Sequence, residues 1–176
     1  MRDLEKIARR HIEEENRKKR VVIVTGTPAA GKTTVAKKIA RKIKAEYIDV
    51  NKLIKKHKLS VGYDRKRKSS IIDVDRLNGV LRNLIINAKK DLVIDSHLSH
   101  HLDKRLVDIC IVAKCDIDVL KKRLEKRGYH KSKVRENLDV EIFDVCLMEA
   151  LALGHKVDVV DTSKGLRGWE LKEKKR

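Results

Sequence analysis

The stretch Val21-Val22-Ile23-Val24-Thr25-Gly26-Thr27-Pro28-Ala29-Ala30-Gly31-Lys32-Thr33-Thr34 decides how this chain is read. Its first five residues are all β-branched, which predicts a short buried strand. Gly26–Thr34 then fits GxxxxGK[ST] at every required position, and Lys32–Lys44 follows with Val35, Ile39, Ala40 and Ile43 at helical spacing. Strand, tight loop and helix form the context in which that pattern has a physical meaning. Successive backbone N–H groups face inward at a helix N-terminus and cradle a polyphosphate. Gly31 gives the loop backbone freedom, and Ala29 and Ala30 keep it lean. Lys32 is placed to reach the β- and γ-phosphates, and the Thr33 hydroxyl to coordinate a magnesium ion between them. Thr34 offers a second hydroxyl, either for the α-phosphate or as a helix cap. ATP and Mg2+ are the implied ligands.

Outward from the loop, Glu46–Val50, Leu92–Asp95, Ile109–Ala113 and Val157–Val160 read as further strands. Helical patterns fall on Asp75–Lys90, Asp116–Lys126 and Lys133–Leu153. Alternation of strand and helix predicts an α/β doubly wound domain, a P-loop NTPase with a parallel sheet of about five strands covered on both faces. Asn51–Ser70 is polar and basic and reads as an excursion from that core. Residues 1–20 place Leu4, Ile7, Ala8 and Ile12 at helical spacing, predicting a basic amphipathic N-terminal helix. With one proline, Pro28, and no linker or repeat, 1–176 reads as a single domain.

The chain carries 44 Lys and Arg against 26 Asp and Glu, a formal net charge of +18, with 41% hydrophobic residues. It is basic yet able to bury a core. Only five aromatics occur (Tyr47, Tyr63, Tyr129, Phe143, Trp169), which argues against a nucleic-acid module built on stacking platforms. No apolar stretch approaches the ~18–20 residues that span a bilayer, and 1–20 lacks a secretory pattern, so a soluble, cytoplasmic protein is expected. Cys110, Cys115 and Cys146 have no paired spacing and read as reduced thiols. Glutamine is absent while 40% of residues are charged, a bias reported for hyperthermophile proteins.

A phosphate loop needs an acid at the end of a neighbouring strand to hold the metal through water. Asp95 is the first choice because His97 lies two residues on, with Asp161 as the competitor. His97 reads either as a residue near the γ-phosphate that orients a water or relays a proton, or as a polar loop histidine. The run His97, His100, His101 invites a metal reading, but no second Cys/His cluster supplies further ligands; His100 and His101 are expected on the surface. A guanine-specific GTPase would carry NKxD after a later strand. Asn51-Lys52-Leu53-Ile54 is too early and lacks the aspartate, and no second domain exists to supply an interface arginine as in ring ATPases. A small kinase closes its own arginine-bearing lid instead. Glu125-Lys126-Arg127-Gly128-Tyr129 reads either as such a lid, with Arg127 on the transferred phosphoryl and Gly128 as hinge, or as an ordinary helix–helix connection with a glycine cap.

In order along the chain, Gly26–Thr34, Gly62-Tyr63-Asp64, Ile72-Asp73-Val74-Asp75-Arg76, Asp95-x-His97, Arg127-Gly128-Tyr129 and Glu141-Ile142-Phe143 resemble the adenylate kinase isoenzyme 6 family. The resemblance covers Val21 to Lys164. It implies an atypical nucleoside monophosphate kinase with ATPase activity, acting with a small-subunit ribosomal protein in maturation of small-subunit rRNA. By that resemblance the nucleotide contacts fall on Ala29, Gly31, Lys32, Thr33 and Thr34, with Arg127 in a lid over about 126–136 and Lys164 near the adenine. The monophosphate segment spans about 49–72, and AMP is the expected acceptor. Ala29 stands where the family often has glycine, which is tolerable only if φ there stays negative. The clamping arginines are open among Arg65, Arg67, Arg76 and Arg82. Two functions follow: phosphoryl transfer from MgATP to a monophosphate, or an ATPase switch on a ribosomal partner with His97 positioning water.

Overall fold

The computed structural model describes residues 19–65 and 69–171. The expected N-terminal helix therefore lies almost wholly outside the described residues, as does Arg67.

Five strands form one parallel sheet: β1 (Val21–Thr25), β2 (Glu46–Asp49), β5 (Leu92–Asp95), β6 (Ile109–Lys114) and β7 (Val157–Asp161), in the order β2-β5-β1-β6-β7. The phosphate-loop strand is central. Val21 pairs with Leu92 on one side, and Val22 with Ile109 on the other. Every residue of β1 is buried, which explains its unbroken apolar run, since a central parallel strand has no solvent face to mark with polar residues. Even so, its side chains alternate between two cores. Val21 and Ile23 join Leu77 and Leu81 of α3 (Val74–Ile86); Val22 and Val24 pack with Val35, Ala36, Ile39 and Ala40 of α1 (Lys32–Lys42). Burying each such aliphatic side chain is worth about 1.5–3 kcal/mol, so the two cores fix which helix lies on which face.

The excursion after β2 is more ordered than its composition suggests. Asp49 caps α2 (Val50–Lys56) by accepting from the Asn51 N–H, so Val50 opens a helix and does not end the strand. An antiparallel hairpin follows, β3 (Ser60–Asp64) with β4 (Ser69–Ile72). It is anchored by Leu59, which is 2% exposed, while Val61, Tyr63 and Ile71 remain exposed.

The helix predicted over Lys133–Leu153 is two helices. After α4 (Ile117–Lys126), α5 (Lys131–Ile142) stops and α6 (Val145–Ala152) restarts across Asp144, whose φ of 53° lies in the left-handed region. The carboxylate of Asp144 pairs with the Lys114 ammonium at the end of β6, which holds that unfavourable conformation. Tertiary pairing thus overrides a helical sequence pattern.

Candidate active site

In a parallel sheet all C-terminal strand ends share one edge, and the register sets Asp49 beside Asp95 and Val24 beside Asp95 there. The phosphate loop crosses this edge. Gly26 has φ 132°, and a Cβ on it would collide with the Ala113 carbonyl oxygen, so the first glycine of the motif is required by a close approach. Gly31, at φ 90°, is the N-cap of α1, and no acid occupies the first turn of that helix. Both features leave an N-terminus suited to anions. Gly31 as N-cap also removes the capping role considered for Thr34, whose exposed side chain sits within the first helical turn.

Ala29 departs from expectation. Its φ is +68°, in the left-handed region, not negative. The conformation costs a non-glycine residue about 1–2 kcal/mol. The loop accepts this because the Ala29 methyl, 5% exposed, packs in a third apolar cluster with Leu120, Leu124 and Val134 of the α4–α5 hairpin. The loop is also held from below: Ala30 N–H donates to the Thr27 carbonyl at 3.0 Å, and the Thr162 hydroxyl donates to the Ala30 carbonyl at 2.7 Å. Arg123 in turn donates to the Thr162 hydroxyl and carbonyl at 2.9 and 2.8 Å.

Lys32 donates to the Thr27 carbonyl oxygen at 2.8 Å. Burial lowers its pKa to about 8 against the opposing attraction of Asp95, although a rim of the side chain stays open to the cleft. Arg127 and Glu141 also act on this ammonium, with opposite signs. Thr33 donates to Asp95 Oδ2 at 2.7 Å, and the Tyr47 hydroxyl donates to the same oxygen at 2.8 Å. Asp95 is 6% exposed. A buried carboxylate met by the neutral hydroxyls of Thr33 and Tyr47, beside the phosphate loop, is a donor set of hard oxygens that fits magnesium. Asp161 has no such link: it is exposed and accepts from the Ser163 N–H at 2.8 Å and from the Ser163 hydroxyl, which lowers its pKa. The geometry thus brings Asp95, and not Asp161, to Thr33.

His97 stands at the mouth of the same cleft. Its ring keeps exposed surface on one side, yet surrounding protein and then the charge of Lys32 lower its pKa, with smaller effects from His100, His101 and Lys133. The imidazole is therefore neutral at physiological pH. Arg127 is exposed at the C-cap of α4 and begins a short connection to α5; Gly128 there has φ 73°, and its N–H donates to the Glu125 carbonyl at 2.9 Å. The segment expected as a lid is a tight helical hairpin, packed through Leu124 and Val134. Lys164 is exposed in the loop beyond β7, two residues past Thr162. Of the clamp candidates, Arg65, Arg76 and Arg82 are all exposed along the hairpin and α3.

His100 is a correction. Expected at the surface, it is 1% exposed, with Nδ1 2.7 Å from the Thr25 hydroxyl and Nε2 2.9 Å from Glu149 Oε2. Its neighbour His101 is half-buried. Composition misses this burial because the polar contacts come from β1 and α6, both remote in sequence.

Sequence reasoning also missed Tyr47 and gave no role to Glu141. Glu141 is 6% exposed; its Oε2 accepts from the Thr27 hydroxyl and its Oε1 from the Cys115 N–H at 2.8 Å. It ties α5 to the second residue of the phosphate loop, and the only signal was its place in the Glu141-Ile142-Phe143 motif. The three thiols are free; burial raises Cys110 to about 12 and Cys146 to about 11. A separate surface cleft lined by Lys44, Glu46, Leu84 and Leu92 lies at the opposite, N-terminal edge of the sheet.

Residues 22–144 match the AAA domain family AAA_18. Over 140 residues the chain is 36% identical to a Methanocaldococcus jannaschii protein named "Putative adenylate kinase", covering 80% of this chain and 77% of that one. It is 37% identical over 131 residues to the Saccharomyces cerevisiae adenylate kinase isoenzyme 6 homolog FAP7, covering 74% of this chain and 66% of the yeast protein. The Schizosaccharomyces pombe isoenzyme 6 homolog is 35% identical over 129 residues, 73% of each chain. The chain belongs to the adenylate kinase isoenzyme 6 family. For this isoenzyme 6 family member the fold is also that of solved P-loop kinases. A shikimate kinase from Acinetobacter baumannii in complex with shikimate superposes with a TM-score of 0.56 at 15% identity, covering 82% of this chain and 84% of that one. YorR from Bacillus subtilis, in complex with phosphorylated GDP, gives 0.52 at 17% identity, covering 81% and 85%. At such identities the likeness concerns the fold alone.

Among the described residues no helix is long and apolar enough to cross a membrane.

Proposed function

We propose that this protein is a nucleoside monophosphate kinase that transfers the γ-phosphoryl of MgATP to AMP or a related monophosphate. The carrying observation is the convergence of Lys32, Thr33 and Asp95 at one sheet edge, with the hairpin excursion leaving the same edge after β2. An acceptor phosphate oxygen attacks the γ-phosphorus, the bond to the β–γ bridging oxygen breaks, and ADP leaves. The protein contributes position and charge to this displacement. Lys32 exchanges its Thr27 carbonyl for phosphate oxygens. Arg127 meets the charge spread over the transferred group, and Lys164 lies toward the base. Thr33 Oγ1 and the Asp95 carboxylate would hold magnesium, which would supply charge neutralisation to the phosphates. The α2–hairpin segment (49–72) receives the monophosphate, clamped by arginines drawn from Arg65, Arg67, Arg76 and Arg82.

ATP hydrolysis is the second activity, favoured by the neutral, solvent-reached His97 beside Lys32. Water then takes the acceptor's place. We assign this hydrolysis to work on a small-subunit ribosomal protein during small-subunit rRNA maturation in the cytoplasm, in keeping with the family and with a surplus of basic residues.

Parallel assays of ATP hydrolysis and AMP phosphorylation, with and without the small ribosomal subunit, test both activities. Negligible AMP phosphorylation beside stimulated hydrolysis would remove the kinase reading. Lys32→Ala is expected to cost on the order of 10²–10³-fold in both; unchanged turnover would sink the loop assignment. Asp95→Ala should lose turnover while Asp161→Ala keeps it, and the reverse result would move the metal to β7.

A further inference from the structure

At the C-terminal end of β1, His100, His101 and Glu149 converge: one ring nitrogen from each histidine and one Glu149 carboxylate oxygen all lie within 4.8 Å of one another. The donors come from two elements, the short 3-10 turn Ser99–His101 and helix α6. The Thr25 hydroxyl lies 2.7 Å from His100 Nδ1 and 3.4 Å from the His97 carbonyl oxygen, so one side of the buried His100 ring is held by β1. The other ring nitrogen, Nε2, lies 2.9 Å from Glu149 Oε2.

We propose that His100 Nε2, a ring nitrogen of His101 and the Glu149 carboxylate bind one divalent transition-metal ion of the zinc class, separate from the Thr33–Asp95 magnesium site. Two imidazoles and one carboxylate are the donor set such ions prefer over magnesium. Metal arms of about 2.0–2.2 Å require only a slight opening of the His100–Glu149 contact and a turn of the His101 ring. The surroundings suit the role. His100 Nδ1 is oriented by Thr25, as metal-bound histidines usually are by a hydrogen bond on the far nitrogen. The His100 carbonyl accepts from His155 Nε2 at 2.7 Å, fixing the turn. The Glu149 side chain, 48% exposed, leaves a way in and a place for water as a fourth ligand. Bound there, the ion ties α6 to Thr25, the residue directly before Gly26.

Co2+ is the probe, because its visible ligand-field absorption reports coordination directly. The full-length, metal-stripped protein is titrated in excess Mg2+, which occupies the Thr33–Asp95 site. A band saturating at one equivalent is expected, weakened at least tenfold in both His101→Ala and Glu149→Gln. These residues are partly exposed, so both variants should keep the metal-free wild-type melting curve. If either variant fails to fold, ¹⁵N shifts of the wild-type histidines on Zn2+ addition decide instead: His100 Nε2 and a His101 nitrogen should move. Absence of the band, a band undiminished in the folded variants, or unmoved His100 and His101 nitrogens would each overturn the site.

Discussion

Lys32 sits in the cleft with its pKa lowered to about 8 by burial. A polyphosphate placed against it favours the charged form and raises that pKa again, so binding takes up a proton once the pH exceeds about 8. ATP affinity should then fall by up to about tenfold per pH unit above 8 and stay flat below it, checked by titration calorimetry across that range. Lys32→Arg, always charged, should lose the pH dependence even if binding is weaker throughout. Glu141 makes a different prediction. Both of its oxygens accept hydrogen bonds in a buried site, so Glu141→Gln turns an NH2 toward one of two donors and should destabilise the fold by about 1–3 kcal/mol in chemical denaturation. At this scale the sequence reveals what lies close together. Lys32 and Thr33 are neighbours in one motif, and Asp95 ends an apolar run. Glu141 and Tyr47 stay hidden because their partners lie 114 and 48 residues away. Ala29 misleads for another reason: the usual rule on φ is outweighed by apolar packing from two helices that nothing local announces.

Elements were legible wherever a single period governed them. The strands β1, β5, β6 and β7 are short apolar runs that local chemistry bounds, and α1, α3 and α4 carry clean helical stripes. Legibility failed where long-range contacts chose the conformation, as at Asp144, where Lys114 breaks one helix into α5 and α6. It failed also over 51–70, where eight basic residues against Asp64 alone hide a hairpin that packs on the core through Ile72, with Leu59 buried just before it. At the end of α1, Lys44 adopts φ 55° on an exposed surface, and the Ala45 N–H reaches back to the Ala40 carbonyl at 2.9 Å. That is the place where helices commonly end in glycine. Lys44→Gly relieves the left-handed strain at some entropic cost in the unfolded chain, for a net gain of about 0.5–1 kcal/mol, read as a melting midpoint raised by a few degrees.

Across the molecule, much of the +18 charge lies on two stretches that begin at the cleft. Helix α1 carries Lys32, Lys37, Lys38, Arg41 and Lys42 with no acid, and 121–136 sets eight basic residues against Glu125 and Glu136. Two nucleotides use a handful of these cations, which leaves the rest for a larger polyanion. Any affinity for RNA should therefore fall linearly with log salt in a binding titration; affinity unchanged between 50 and 200 mM salt would contradict an electrostatic origin. The sheet order has a consequence of another kind, for synthesis. The phosphate-loop strand finds its partners only far along the chain: Arg20 N–H meets Asp91 across 71 residues and Val21 N–H meets Asp108 across 87. A nascent chain carries the complete GxxxxGK[ST] motif early, yet both neighbours of β1 emerge much later. ATP capture by stalled ribosomal chains should begin only after β6 has left the exit tunnel, so the segment that chemistry uses first is among the last that folding completes.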